Sequence, residues 1–218
     1  MGGEVFQQVL SIGQSCRARH HARRIFGKNN SGRKGVFDWQ ITPVEALLKY
    51  LERDFVGMLE RSDLAINRGS VENTRFGTIH YHEFPELSQL DDLDARYPIA
   101  RRRHDRWCAY TRNVMANDYS ALFVLAAPVA DEAVGRISEA IGRFNPRKRF
   151  LVLNGPENDH GQDWTGDTDV WTKHLEPFTV RPPALVKAGY ICHRLKTNVA
   201  RLANREHFRP RPLTENVG

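Results

Sequence analysis

Several things are scarce in this chain of 218 residues, and each scarcity excludes a class of protein. There are only three cysteines, Cys16, Cys108 and Cys192. They are far apart, odd in number and contain no C-x-x-C, which argues against a disulfide framework and against a cysteine zinc site. No apolar run approaches the ~20 residues of a membrane helix, so no membrane partner is expected. The first residues lack the basic-then-apolar pattern of a secretion signal, and a cytoplasmic location is expected. There is no internal repeat, no helix-turn-helix and no RNA-binding signature. Arginines cluster at Arg17–Arg24 and Arg101–Arg106 without interleaved aromatics. A nucleic-acid partner is therefore not expected, and the net charge of +6 reads first as a solvated basic face. No cofactor and no resident metal are expected.

What is present is enough apolar residue for one domain, expected over 1–207, with a weakly structured tail over 208–218. The chain is organised around Gln8–Cys16. An apolar run ends at Gly13, Ser15 and Cys16 follow, and Ala18, Ala22, Ile25 and Phe26 then recur on one helical face. The reading is strand, tight turn, helix, with a thiol at the first helical turn. Unpaired N–H groups, the positive end of the helix dipole and the nearby Arg17, Arg19, His20 and His21 favour its thiolate. Cys16 is thus a candidate nucleophile, with Ser15 beside it as an alternative, and a packed small residue is the plain reading of the same pattern.

Further along, Asp38 lies between Phe37 and Trp39, where aromatics draw a carboxylate inward and oblige it to find donors or a cation. Thr42-Pro43 predicts a helix start with Thr42 as cap. The segment 54–67 reads as irregular or a short helix. Residues 75–85 alternate like a strand, which would put His80 and His82 on one face as a base or a metal pair. A helix is expected over Tyr97–Asn117. Strand 120–126, helix 131–144 and strand 150–154 form a βαβ unit with parallel strands. The fold class expected is α/β, an open and mainly parallel sheet flanked by helices in three layers. Its site belongs at the carboxyl ends of the strands, where Gly13, Gln14, Ser15 and Asn154 gather. The polar segment 158–174, with Trp164, Asp167, Asp169, Trp171 and His174, is a candidate site loop.

These residues resemble a bacterial family of unknown function whose members carry the description papain-like cysteine peptidase. The likeness rests on Ser11-Ile12-Gly13-Gln14-Ser15-Cys16, on Val36-Phe37-Asp38-Trp39 and on Thr42-Pro43, followed by the histidine segment Ile79–Phe84 and the arginine-rich helix. Val36 stands where the family usually has proline. The resemblance implies Cys16 as nucleophile, His82 or His80 as base, and Asp38 as an orienting or structural carboxylate. The order strand, Gly-x-x-Cys, helix is also similar to the first block of SGNH hydrolases, which would place a completing pair at Asp169 or Asp167 with His174. Either likeness implies acyl transfer from a small-molecule, saccharide or peptide substrate, an anionic one suiting the basic surface. The N–H groups of Gly13–Cys16 and the Asn154 side chain would hold the oxyanion, with Trp39 and Trp164 near the substrate. Two other readings stand beside it: a non-catalytic carbohydrate- or nucleotide-binding module with its anion site at the Gly13–Cys16 turn, and a metal-dependent hydrolase using His80, His82 and a carboxylate.

Overall fold

The computed structural model describes residues 3–84, 90–161 and 163–207. The expected tail lies outside the described residues. In chain order the elements are β1 (Glu4–Phe6), β2 (Gln8–Ser11), α1 (Arg17–Phe26), a 3-10 turn (Val36–Trp39), α2 (Val44–Glu52), β3 (Leu64–Asn67), β4 (Ser70–Asn73) and β5 (Thr78–Ile79). They continue as α3 (Leu90–Ala116), β6 (Ala121–Val124), α4 (Asp131–Gly142), β7 (Phe150–Leu153), α5 (Thr168–Leu175), β8 (Phe178–Val180) and α6 (Ala184–His207).

The apolar runs become parallel strands. β6 lies between β2 and β7, parallel to both, in the register Leu10–Phe123–Val152. β1 leads into β2 through the single residue Gln7 and pairs in parallel with β8. Alternate side chains enter two separate cores. Leu10, Ile12, Ala121, Phe123, Leu125 and Val152 pack with α2, α3 and α4. Val9, Leu122, Val124 and Ala126 pack with Ala18, Ala22 and Phe26 of α1 and with Trp171 and Leu175 of α5. A sheet buried on both faces needs apolar residues at every position, which is why these strands read as unbroken hydrophobic runs. The mixed α/β class and the expected βαβ unit are therefore present, and the described strands close no barrel. Among the described residues no helix is long and apolar enough to cross a membrane.

Four local expectations change. The segment 54–67 ends in β3, which pairs antiparallel with β4, and β4 pairs with β5. The β3–β4 turn is Arg68-Gly69, both at positive φ (49° and 78°), as a two-residue hairpin requires. α3 begins at Leu90 and carries Pro98 inside it, seven residues before the expected start. Thr42 does not cap α2: its hydroxyl accepts from Gln40 Nε2 (2.9 Å), and Pro43 occupies the cap position. β5 stops at Ile79, and the chain then turns, so His80 is fully buried while His82 is exposed. The two histidines do not share a strand face.

Candidate functional site

The carboxyl ends of β2, β6 and β7 carry loops that bind one another. Gly13 (φ 72°) and Gln14 (φ 63°) take the chain sharply out of β2. At Gly13 the left-handed backbone favours glycine, and a Cβ there would also press on Leu47 Cδ2 at 3.2 Å. Gln14 N–H donates to Thr42 O (2.8 Å), and its Oε1 accepts from Ala127 N (2.7 Å). Asn154 accepts from Val129 N (2.9 Å) and donates to Val129 O (2.7 Å). The Asn154 amide thus joins the β6 and β7 loops and is not available to an oxyanion. Ser15 N–H is likewise taken, by Gly13 O (2.9 Å), and Ser15 Oγ accepts from Arg17 N (3.3 Å).

Cys16 is the cap residue of α1, half-buried, in helical conformation. Its own N–H leans on its thiol, and the N–H groups of Ala18 and Arg19 make no backbone hydrogen bond among the described residues. The expected donors of Gly13–Cys16 are therefore replaced in part by the first turn of α1. Burial pushes the thiol above its ordinary value, the Asp38 charge adds to this, and the backbone N–H and Arg17 oppose it. The expectation of a resting thiolate is corrected: desolvation outweighs the helix terminus. His21 Nε2 bonds to Thr165 O and His174 Nε2 to Asn154 O, so neither ring nitrogen is turned to Sγ.

One face of α1 holds the loop after β7. Arg17 binds Asp159 (2.9 Å), Asp163 O and Trp164 O. Asp159 also accepts from Gly161 N, Asp167 N and Trp171 Nε1 (2.7 Å). His21 is fully buried, stacks on Trp171 at 4.8 Å and donates from Nε2 to Thr165 O (2.6 Å). Burial lowers its pKa to about 4. Trp164 remains 55% exposed and stands edge-on to His20, one turn from Cys16. It is open to a ligand at this edge.

The other expected residues fall into place unevenly. Asp167 caps α5 through Asp169 N and Val170 N. Asp169 is exposed, and His174, five residues on, lies about 140° around the helix from it. His174 Nε2 bonds to Asn154 O (2.8 Å). No Asp169–His174 pair exists to complete a triad. Asp38 accepts from Ser11 Oγ and from Gly35 N (2.7 Å), and pairs with Arg19 (3.5 Å). These contacts tie β2, α1 and the start of the 3-10 turn together. The Trp39 side chain lies outside what is described. Among the described residues no group of three His, Cys, Asp or Glu is placed to hold a metal ion. With His80 and His82 split between interior and surface, the metal-hydrolase reading has no ligand set here. A shallow cavity of about 400 Å3 lined by Ile25, Phe26, Thr172 and Phe178 lies at the far end of α1 from Cys16.

No family model, curated protein or solved structure matches the chain.

A second polar cluster went unread in the sequence. Lys34 is half-buried, with its ammonium 3.9 Å over the Trp107 ring. Burial lowers its pKa, with Glu83 and Asp38 opposing, and His82 is lowered by burial first and by the Lys34 charge second. Glu83 is fully buried. Its sequence signal is the one that drew attention to Asp38, a carboxylate held between apolar or aromatic neighbours in a short segment, His82-Glu83-Phe84.

Proposed function

We propose that this protein is a cysteine-dependent acyl-transfer enzyme with a three-layer α/β build akin to the SGNH hydrolases. The observation that supports it is Cys16 itself. A half-buried thiol stands just beyond β2, an outer strand of the parallel β2-β6-β7 sheet, beside backbone N–H groups of the first turn of α1 with no backbone partner. Those donors suit the oxygen of a carbonyl under attack.

In this reading Sγ adds to the carbonyl carbon, the C=O pair moves onto oxygen, and the N–H groups of Cys16 and Ala18 hold the oxyanion. Collapse expels the leaving group with a proton from a histidine, and the acyl group passes from sulfur to water or to a hydroxyl. Because burial keeps the thiol protonated at rest, the histidine takes the proton as attack proceeds and there is no standing ion pair. His20, one turn along α1 from Cys16, is the imidazole best placed to serve. His80 is enclosed and His174 is tied to Asn154. The acyl donor is a small molecule, saccharide or peptide, with exposed Trp164 as one wall. A cytoplasmic setting suits a free thiol.

The test is peptide mass mapping after p-nitrophenyl acetate. Acetyl-Cys16 forms in the wild type, and no acetyl group accumulates elsewhere at that rate in Cys16→Ala. One observation favours a second reading, a binding module whose anion sits on the same N–H groups: the raised thiol pKa. That reading expects ligand binding to survive Cys16→Ser and no acetyl-Cys16.

A further inference from the structure

The last helix, α6, carries apolar residues on two opposite faces. One face is covered by the body of the protein. Tyr190 is buried, Val186 and Ile191 are half-buried, and the Tyr190 hydroxyl accepts from Gln8 Nε2 at 3.5 Å. The other face is bare. Leu185 is 85% exposed and Leu195 is 57% exposed. Ala188 and Cys192, between them, are exposed as well. At about 100° per residue these four fall within roughly 80° of one another, centred on the side opposite Tyr190. Single exposed leucines are ordinary, but two on one stripe of a helix that already buries its other side mark a second packing face.

The width of the stripe bears on what it packs against. A helix lying in a membrane surface turns a broad apolar face to the lipid. Here the spacing from Leu185 to Ala188, Cys192 and Leu195 is three, four and three residues, the narrow a/d seam of a helix pair.

Charge bears on which helix. From Ala184 to Arg205 the sequence holds Lys187, Arg194, Lys196, Arg201 and Arg205, and no acid. Lys196 borders the stripe on one side and Lys187 lies on the other. The loop before the 3-10 turn adds to this. Arg194 Nη1 donates to Asn29 Oδ1 (2.5 Å), and the Arg33 guanidinium lies over the Tyr110 ring of α3 at 5.3 Å. Partial burial first, and then the charges of Arg33, Arg106 and Lys196, lower the His193 imidazole on the Lys196 side of the helix. A second copy of α6 would set like charges against one another.

We propose that α6 is a docking helix for an amphipathic helix of another protein, one whose apolar stripe is flanked by glutamate or aspartate. Leu185, Ala188, Cys192 and Leu195 receive the apolar side chains of that helix, and Lys187 and Lys196 face its acids. With 24 residues α6 is about 36 Å long, room for about three heptads of contact. The docking face is independent of the chemistry at Cys16.

The experiment is fluorescence anisotropy of a labelled synthetic peptide of four heptads, with leucine at a and d and glutamate at e and g, titrated with the full chain. A twin peptide with lysine at e and g controls for charge. The glutamate peptide is expected to bind saturably with a Kd on the order of 10 μM, and the lysine twin at least about tenfold more weakly. Salt at about 0.5 M weakens the glutamate peptide several-fold. The double variant Leu185→Gln, Leu195→Gln, altered only at exposed positions, loses at least about tenfold in affinity. No binding of the glutamate peptide up to about 200 μM, equal binding of the two peptides, or unchanged binding by the double variant would overturn the proposal. So would a dimer in light scattering that the double variant dissociates, which would assign the stripe to a second copy. Sedimentation with phosphatidylserine vesicles that the double variant abolishes would assign it to a membrane instead. The comparison of the two peptides needs no variant, so it stands even if the substituted chain fails to fold.

Discussion

Asp38 and Glu83 are both buried and both acidic, each next to a phenylalanine in sequence, yet their surroundings are opposite. Asp38 is met by a serine hydroxyl, a backbone N–H and a guanidinium drawn from three elements. Glu83 is met by none at hydrogen-bonding distance. Removing water from a carboxylate is tolerable when donors replace it, and then the group is part of the frame. Where nothing replaces it, the group is held in the fold at a cost, and the neutral acid is favoured. The parallel-sheet side of the molecule is therefore closed and structural around Asp38. The hairpin side, between the turn after β5 and α3, is incomplete around Glu83.

The sharpest way to break this contrast is to remove each acid in turn. Asp38→Ala leaves Arg19 buried without its partner and is expected to destabilise the fold by about 3–5 kcal/mol. Glu83→Gln at pH 8 is expected to change stability by no more than about 1 kcal/mol, since it removes a charge that had no bond to lose. Urea unfolding reads both, and equal losses would erase the distinction.

The next largest effect is on acid stability. His80 and His21 are buried neutral, with pKa values lowered to about 3 and about 4 from 6.5. The unfolded chain binds protons that the fold refuses, so their contribution is full above pH 6.5 and is lost on acidification. Each removes up to ~1.4 kcal/mol per pH unit between pH 6 and 4. Glu83, raised from 4.5 to about 7, acts in the opposite sense over pH 4.5–7 and offsets one of the two. Urea midpoints should fall steeply below about pH 5. A flat profile down to pH 4 would show that the histidines are not held neutral.

A smaller change is expected where α1 clasps the loop after β7. Asp159→Asn weakens its bonds to Arg17, Trp171 Nε1 and two backbone amides. Hydrogen exchange at Gly161 and Asp167 should quicken by about tenfold, with α4 and β6 unaffected. The smallest effect belongs to the exposed Arg136–Glu45 pair joining α4 to α2. Arg136→Ala should leave the urea midpoint unmoved, because solvent screens the pair.

Much of this arrangement is written in local pattern. The strands β2, β6 and β7 announce themselves as apolar runs, since both faces are buried. The turn into Cys16 and the convergence of loops at that edge follow from βαβ topology. What escapes the sequence is set by tertiary contact. Asn154 and Gln14 are polar residues at a strand edge, and only the fold reveals that they are used up in binding neighbouring loops. Asp169 and His174 look like a pair until helix geometry turns them apart. The Cys16 thiol carries every local mark of activation, and burial, which no local mark records, reverses its direction. Glu83 carried the same signal as Asp38, but only three-dimensional placement separates an acid with donors from one without.

The measurement that bears most directly on the proposed chemistry compares two reagents on the same thiols. The thiolate displaces iodide from iodoacetamide without forming an oxyanion, whereas its addition to the carbonyl of p-nitrophenyl acetate forms one. Peptide mass spectrometry gives the rate at Cys16 relative to exposed Cys192 for each reagent. If the N–H groups at the head of α1 hold an oxyanion, that ratio is at least about tenfold higher with the ester than with the alkylating agent. Equal ratios would mean that Cys16 is a half-buried thiol with no catalytic setting.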